Sequence, residues 1–201
     1  MERISDLLKG KRLLIFDFDG TIANTSPLHA AAFEKVLSPL GVSVDYAAIA
    51  GRKTLDAMQI CLANAGIVLP MVKVKELVND KQSIVRQMIA ESLTPLSEID
   101  EFLHWAKPRY PLAMVTSGSR GTVELALHKL GYLGWFQPIL FAEDVRKAKP
   151  DPEGFLHVLA ITGISANEAI VFEDSQAGFD AAFNAGITYI DVNTVAISLL
   201  H

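Results

Sequence analysis

Short apolar runs that end in polar turns recur along the chain and alternate with segments of helical periodicity. The first run, LLIF at 13–16, is followed at once by the turn DFDGT. Such a pattern is typical of a buried strand that ends at a polar turn. Similar runs lie at 112–115, 139–141, 169–172 and 187–190. Strand, polar turn, helix, strand is the order of a parallel sheet covered by helices on both faces, so the sequence predicts an α/β fold with a Rossmann-like core.

One interval breaks this alternation. From about residue 26 to residue 92 the apolar positions recur at helical spacing only,. The predicted helices begin at Ser26 before Pro27, run over 53–65, and run over 71–92. Thr94-Pro95-Leu96 is the expected return hinge. We therefore expect an all-helical cap domain at 25–94, inserted into an α/β core of residues 1–24 and 95–201.

Composition narrows the class of protein. Of 201 residues, 50% are apolar and 20% are charged, which describes a packed soluble globule,. A net charge of -5 does not indicate the basic surface that a nucleic-acid-binding protein needs,. The chain shows neither a stretch apolar enough to span a bilayer nor the apolar centre of a signal peptide. The single cysteine, Cys61, excludes an intramolecular disulfide and fits a reducing compartment,. We expect a cytoplasmic protein without nucleic-acid or membrane partners, in which Cys61 is a packed, inert thiol.

Two carboxylates lie two residues apart in the first polar turn. Asp17 and Asp19 point the same way in an extended segment, whereas Phe18 between them turns into the core. Paired carboxylates repel each other, and a hard cation such as Mg²⁺ relieves the repulsion. One carboxylate can then attack phosphorus while the other exchanges a proton with the leaving oxygen. Gly20 permits a tight turn beside a phosphate, but Asp and Gly are also ordinary residues of solvated turns.

Hydroxyl, amide and ammonium groups follow the next two strands. Thr116-Ser117-Gly118 offers a hydroxyl and backbone N–H groups at a helix start, which suits either an anion or plain helix capping. Lys149, whose direction Pro150 helps to fix, can neutralise a phosphate. A lysine in a loop is also commonly a solvated surface residue.

Adjacent acids follow the fourth predicted strand. Glu173 and Asp174 come directly after an apolar run, where acids need partners such as a metal ion. Helix N-capping is the alternative, and Ser175 would do this equally well. Because the carboxyl ends of parallel strands meet at one edge of a sheet, we expect all four polar turns to converge on one site.

These motifs together resemble the haloacid dehalogenase-like hydrolase superfamily. The matching segments are DFDGT, T-S-G, K-P-D-P and V-F-E-D-S-Q-A-G, in that order, from Asp17 to Gly178. The predicted insertion is similar to the helical cap of a subgroup that holds β-phosphoglucomutase, phosphoglycolate phosphatase and small sugar-phosphate phosphatases. Within it, the first and last motifs resemble bacterial fructose-1-phosphatase-like proteins and β-phosphoglucomutase.

The resemblance implies a role for each core motif. Asp17 would be the nucleophile that becomes a phosphoaspartate, and Asp19 the general acid and base. The phosphoryl oxygens would be held by Thr116 and Lys149, helped by backbone groups of Ser117 and Gly118. The cofactor would be Mg²⁺, bound by Asp17, the backbone carbonyl of Asp19 and Asp174, with Glu173 acting through water.

The cap supplies candidates for substrate binding. His29 matches a histidine that many relatives carry at this spacing after the first motif, and Thr25 precedes it at the hinge. The loop 50–54 resembles the cap loop that closes over the leaving group. The mutase carries an arginine a few residues after the glycine of this loop, whereas Arg52 follows Gly51 directly. Solvated positions for His29 and Arg52 remain the alternative.

Three functions follow from these observations. The first is a phosphatase acting on a small phosphorylated metabolite, as a monomer. The second is a phosphomutase that returns the phosphate to a second hydroxyl. The third is a non-catalytic phosphate-binding module, which does not need both a nucleophile and an acid.

Overall fold

A five-stranded parallel sheet forms the centre of the molecule, in a computed structural model that describes residues 4–194. The spatial order of the strands is β3-β2-β1-β4-β5, and helices cover both faces. This architecture confirms the predicted α/β fold. Residues 1–3 and 195–201, assigned above to the core, lie outside the described residues. The strands are β1 (Leu13–Phe16), β2 (Leu112–Val115), β3 (Ile139–Leu140), β4 (Ala169–Glu173) and β5 (Thr188–Asp191).

Eight α-helices accompany the sheet within residues 4–194: α1 (Ile4–Leu7), α2 (Ser26–Leu37), α3 (Thr54–Asn64), α4 (Met71–Ser92), α5 (Ser97–Ala106), α6 (Arg120–Leu130), α7 (Glu153–Thr162) and α8 (Gln176–Asn184). The helices expected from apolar periodicity are all present. Helices α1 and α5 were not predicted, although α5 buries Ile99, Phe102, Leu103 and Ala106 at helical spacing,. None of these helices is both long and apolar enough to cross a membrane.

The central strand explains why polar chemistry is confined to the sheet edge. All four residues of β1 are buried. Leu14 and Phe16 pack into the core layer on one face, whereas Leu13 and Ile15 pack into the layer on the other. Phe16 stacks on Phe172 of β4 with ring centroids 4.6 Å apart. Because both faces are covered, polar side chains of these strands gather beyond their carboxyl ends.

The helices between β1 and β2 build a hydrophobic cluster of their own. Phe33, Met58 and Val74, from α2, α3 and α4, meet there. Cys61 is buried in the same cluster, and burial raises the pKa of its thiol, as expected for an inert packed cysteine. An antiparallel bridge between Ala23 and Pro95 joins the two ends of this segment. The cap boundaries 25–94 stay a prediction.

Candidate active site

The turn after β1 places two carboxylates at the sheet edge. Asp17 is buried, Phe18 packs into the core as expected, and the Asp19 side chain is partly exposed. Gly20 adopts a left-handed φ of 86°, and a Cβ there would lie 2.1 Å from Oδ2 of Asp174. Only glycine therefore lets this turn pass so close to the end of β4, which confirms the expected tight turn.

A buried lysine joins the carboxylates of β1 and β4. Nζ of Lys149 donates to Oδ1 of Asp17 at 2.5 Å and to Oε1 of Glu173 at 2.6 Å. The other Glu173 oxygen accepts the backbone N–H groups of Asp174 and Ser175, each at 2.8 Å, and the Ser175 hydroxyl at 3.0 Å. Glu173 therefore links the lysine to the first turn of α8. Ser175 caps that helix by accepting the N–H of Gly178 at 3.2 Å,.

Crowding shifts the ionisation of this cluster. Burial raises the pKa of Asp17 well above its ordinary value; Lys149 opposes the shift, and the Glu173 charge adds to it. Burial and the charge of Glu173 likewise raise the pKa of Asp174 to about 7. Burial alone would lower the pKa of Lys149, but its ion pairs with Asp17 and Glu173 hold it above the ordinary value. Lys149 therefore stays positively charged, but its single charge does not neutralise all of the carboxylates around it.

The same carboxylates fit a divalent metal ion. Oxygens of Asp17, Glu173 and Asp174 lie within 4.8 Å of one another, with Asp17 and Glu173 buried. A positive charge between them would offset the mutual repulsion of these carboxylates. The Asp19 side chain lies outside this cluster, which is compatible with its expected contribution through the backbone carbonyl. Glu173 already accepts four hydrogen bonds, so Asp17 and Asp174 are the freer ligands.

Thr25, His29 and Lys81 lie in a row beside the Asp19 carboxylate. The Thr25 hydroxyl donates to its Oδ1 at 2.6 Å, and Nε2 of His29 lies 3.4 Å from the same oxygen. Nζ of Lys81 lies 2.7 Å from Nδ1 of His29. An ammonium only donates, so Nδ1 accepts and Nε2 carries the proton, an assignment inferred from the network. Burial and the Lys81 charge lower the pKa of His29 to about 4, so the imidazole is neutral at neutral pH.

Lys81 is a site residue that the sequence analysis did not predict. It is 1% exposed, its ammonium lies 4.7 Å from the centre of the Phe33 ring, and burial lowers its pKa to about 8. The signal was present in the spacing. Lys81 falls seven residues after Val74 and four before Val85, both buried on α4, so it occupies a core position of the apolar stripe.

The turn after β2 is tied to its surroundings by hydrogen bonds. The Thr116 hydroxyl is buried and accepts the N–H of Gly118 at 2.9 Å. The Ser117 hydroxyl donates to the backbone carbonyl of Gly51 in the cap loop at 2.5 Å. A Cβ on Gly118 would lie 2.6 Å from a methyl of Val123. This turn therefore joins β2, α6 and the cap.

Two narrow cavities lie between the cap and the sheet edge. One, of about 20 Å³, is lined by Asp17, Asp19, Asp174 and Ser117. The other, of about 30 Å³, shares Asp19 and Ser117 and is also lined by His29, Arg52, Lys81 and Gly118. At roughly 10–15 Å³ per water, each holds only one to three water molecules. The structure thus brings most of the expected residues to one narrow site, and places Thr116 in a neighbouring cavity with Lys149.

Comparisons with known proteins agree with this geometry. The chain is 32% identical to the fructose-1-phosphate phosphatase YqaB of Escherichia coli (strain K12) over 179 residues, 89% of this chain and 95% of that protein. It is 26% identical to the beta-phosphoglucomutase of Bacillus subtilis (strain 168), over 90% of this chain and 83% of that protein. A structure of CbbY from Rhodobacter sphaeroides in complex with phosphate shares the fold, with a TM-score of 0.80 at 23% identity over 89% of this chain and 84% of that one.

The family itself is shown by a match along most of the sequence. The model described as haloacid dehalogenase-like hydrolase matches residues 14–192, from β1 to just beyond β5. The match spans every strand and each of the four polar turns. The resemblance drawn from the motifs is therefore confirmed, and this chain belongs to the haloacid dehalogenase-like hydrolase family.

Proposed function

We propose that this protein is a Mg²⁺-dependent phosphatase that hydrolyses small phosphate esters, sugar phosphates among them, through a phosphoaspartate at Asp17. The observation that carries the proposal is the pairing of Asp17 with Lys149 inside the acidic cluster, below a cavity covered by the cap. The named activities of the E. coli and B. subtilis relatives support a phosphorylated carbohydrate as the substrate.

The first chemical step uses both carboxylates of the β1 turn. An oxygen of Asp17 attacks phosphorus, and the bond between phosphorus and the ester oxygen breaks. Asp19, as the acid, gives its proton to the departing oxygen. Thr25 and His29 both face Oδ1 of Asp19, which leaves Oδ2 for this transfer. Asp19→Asn should therefore lower turnover by about 10²–10⁴-fold.

The second step reverses the proton flow. Asp19, now a carboxylate, takes a proton from water while the water oxygen attacks phosphorus, so that inorganic phosphate leaves and Asp17 is restored. Lys149 keeps a positive charge beside Asp17 throughout,. Asp17, Asp174 and the backbone carbonyl of Asp19 would hold Mg²⁺, whose oxygen-only ligands suit a hard cation. When bound, the ion supplies further positive charge against the carboxylates and phosphoryl oxygens.

The cap provides the contacts for the leaving group. Nε2 of His29 is buried and makes no hydrogen bond within residues 4–194, although Oδ1 of Asp19 lies 3.4 Å away. A buried N–H without a partner is costly, and a substrate hydroxyl would satisfy it. Arg52 lines the same cavity from an exposed position and can contact a hydroxyl or an anionic group at its mouth.

The main alternative is a phosphomutase. The small volume of the cavity favours it, because a mutase must keep water from the phosphoaspartate until its intermediate turns round,. A non-catalytic phosphate-binding module is disfavoured, because binding alone needs neither a nucleophile nor an acid.

A substrate panel with product identification tests the proposal. The protein is incubated with Mg²⁺ and fructose 1-phosphate, and separately with β-glucose 1-phosphate plus a trace of the bisphosphate. We expect free phosphate to be the main product in both. Rapid formation of glucose 6-phosphate with little free phosphate would favour the mutase. Absence of turnover over a broad ester panel would favour the binding module.

A further inference from the structure

The cap loop at 50–53 touches the turns that follow three different strands. The Ser117 hydroxyl, after β2, donates to the Gly51 carbonyl at 2.5 Å. Nζ of Lys53 donates to the carbonyl of Val145, after β3, at 2.7 Å. A Cβ on Gly51 would lie 3.1 Å from the hydroxyl of Ser175, after β4. The loop is therefore seated on the sheet edge from three sides.

The Lys53 ammonium points towards the core and away from the leaving-group cavity. Lys53 immediately precedes α3 and is partly buried. With Val145 and Lys149 it lines a small separate cavity of about 10 Å³. Among the described residues that line the cavity of His29, Arg52 is present and Lys53 is not. The cation is thus bonded to the segment of the core that leads to Lys149.

This bond can form only when the cap is seated. The cavities described above hold one to three water molecules each, so an ester must enter while the cap stands off the core,. Contacts that exist only in the seated arrangement shift the equilibrium towards it. A hydrogen bond from an ammonium to a carbonyl, partly shielded from water, belongs to the stronger class of such contacts.

We propose that Lys53 is a positioning residue that fastens the cap loop to the core at Val145, and that it is not a ligand for a second phosphate. The expected effect of Lys53 on KM rests on the proposed phosphatase function. The expected effect on the position of the loop does not, because hydrogen exchange measures it without turnover.

Three variants test the inference: Lys53→Met, which keeps the alkyl stem; Lys53→Arg, which keeps a donor; and Lys73→Met as the control. Lys73 is an exposed cap lysine paired with Glu76 at 2.7 Å. The first measurement is amide hydrogen exchange over residues 46–57. We expect Lys53→Met to speed exchange there by about 2- to 10-fold, the range set by one hydrogen bond. Lys53→Arg should recover most of the protection, and Lys73→Met should match wild type.

The second measurement separates kcat from KM for one monophosphate and one bisphosphate sugar. We expect Lys53→Met to raise KM by about 2- to 10-fold equally for both esters, since loop seating is common to them. A loss confined to the bisphosphate, with unchanged hydrogen exchange, would show that Lys53 binds a second phosphate and would overturn the proposal. Unchanged exchange together with unchanged kinetics would overturn it as well. If the wild type hydrolyses neither ester, the phosphatase assignment fails while the exchange result still decides the role of Lys53.

Discussion

The carboxylate of Glu173 lies so close to the backbone of Gly178 that a Cβ there would come within 1.9 Å of the Glu173 carboxyl carbon. The same carboxylate holds the ammonium of Lys149 and the first N–H groups before α8. Because Gly178 has no side chain, the buried carboxylate of Glu173 can lie over the start of α8. From there it holds Lys149 beside Asp17.

Gly178→Ala should disturb both stability and activity. Overpacking of this kind costs about 1–3 kcal/mol, and displacement of Glu173 would also move Lys149 away from Asp17. Gly121→Ala in α6 is the control, because a Cβ there meets nothing within 4 Å, and it should be neutral or stabilising by up to about 1 kcal/mol. Urea unfolding and kcat/KM report the two effects. If the two variants had the same unfolding free energy and the same kcat/KM, the contact between Gly178 and Glu173 would contribute nothing to stability or activity.

Asp174→Asn should separate metal binding from folding. In metal-free protein the substitution removes one charge from a repelling cluster, so the variant should melt at the wild-type temperature or above it. Mg²⁺ at 100 times its Kd should stabilise the wild type by about 2.7 kcal/mol and the variant far less. Asp180→Asn, an exposed position on α8, should keep the full Mg²⁺ effect. If Asp174→Asn were stabilised by Mg²⁺ as much as the wild type, Asp174 would be excluded as a metal ligand.

Lys81 should make stability depend on pH above neutrality. Burial lowers its pKa from 10.5 to about 8. Between these values the unfolded chain holds a proton that the folded protein has lost, so unfolding becomes less favourable as pH rises. The unfolding free energy of wild type minus that of Lys81→Met should increase by up to about 1.4 kcal/mol per pH unit from pH 8 to 10. The difference should level off below about pH 7, and a difference that is flat over the whole range would contradict a buried, destabilised ammonium.

The sheet edge was predictable because its signals are local. Apolar runs ended at polar turns, and the alternation of Asp17, Phe18 and Asp19 placed two carboxylates on one side of an extended segment. Parallel strands then brought distant turns together, as Lys149 and Asp17 show across 132 residues of sequence. Each of these features follows from one short segment of sequence and from the rule that the carboxyl ends of parallel strands meet at one edge of a sheet.

The cap contacts were not predictable in the same way. Lys53 bonds a carbonyl 92 residues away, and Lys81 reaches His29 from a helix of 22 residues. The first pairing depends on how the cap docks on the core, and the second on how α4 packs against α2. Spacing within one helix can show that a residue is buried, but it does not identify the partner on another element. Thr25, expected among the residues that bind substrate, donates a hydrogen bond to Asp19. Its binding role stays a prediction, as do those of His29 and Arg52.

Trapping of the covalent intermediate tests the central claim most directly. The wild-type protein, with Mg²⁺ and an ester that it turns over, is quenched in acid within a single turnover and mapped by peptide mass spectrometry. We predict one phosphoryl group on Asp17, formed as fast as the alcohol is released. Asp17→Asn should fold normally and show neither label nor turnover, since it lacks an ionised carboxylate. Turnover by the wild type without a label at Asp17, together with activity retained in Asp17→Asn, would contradict the account.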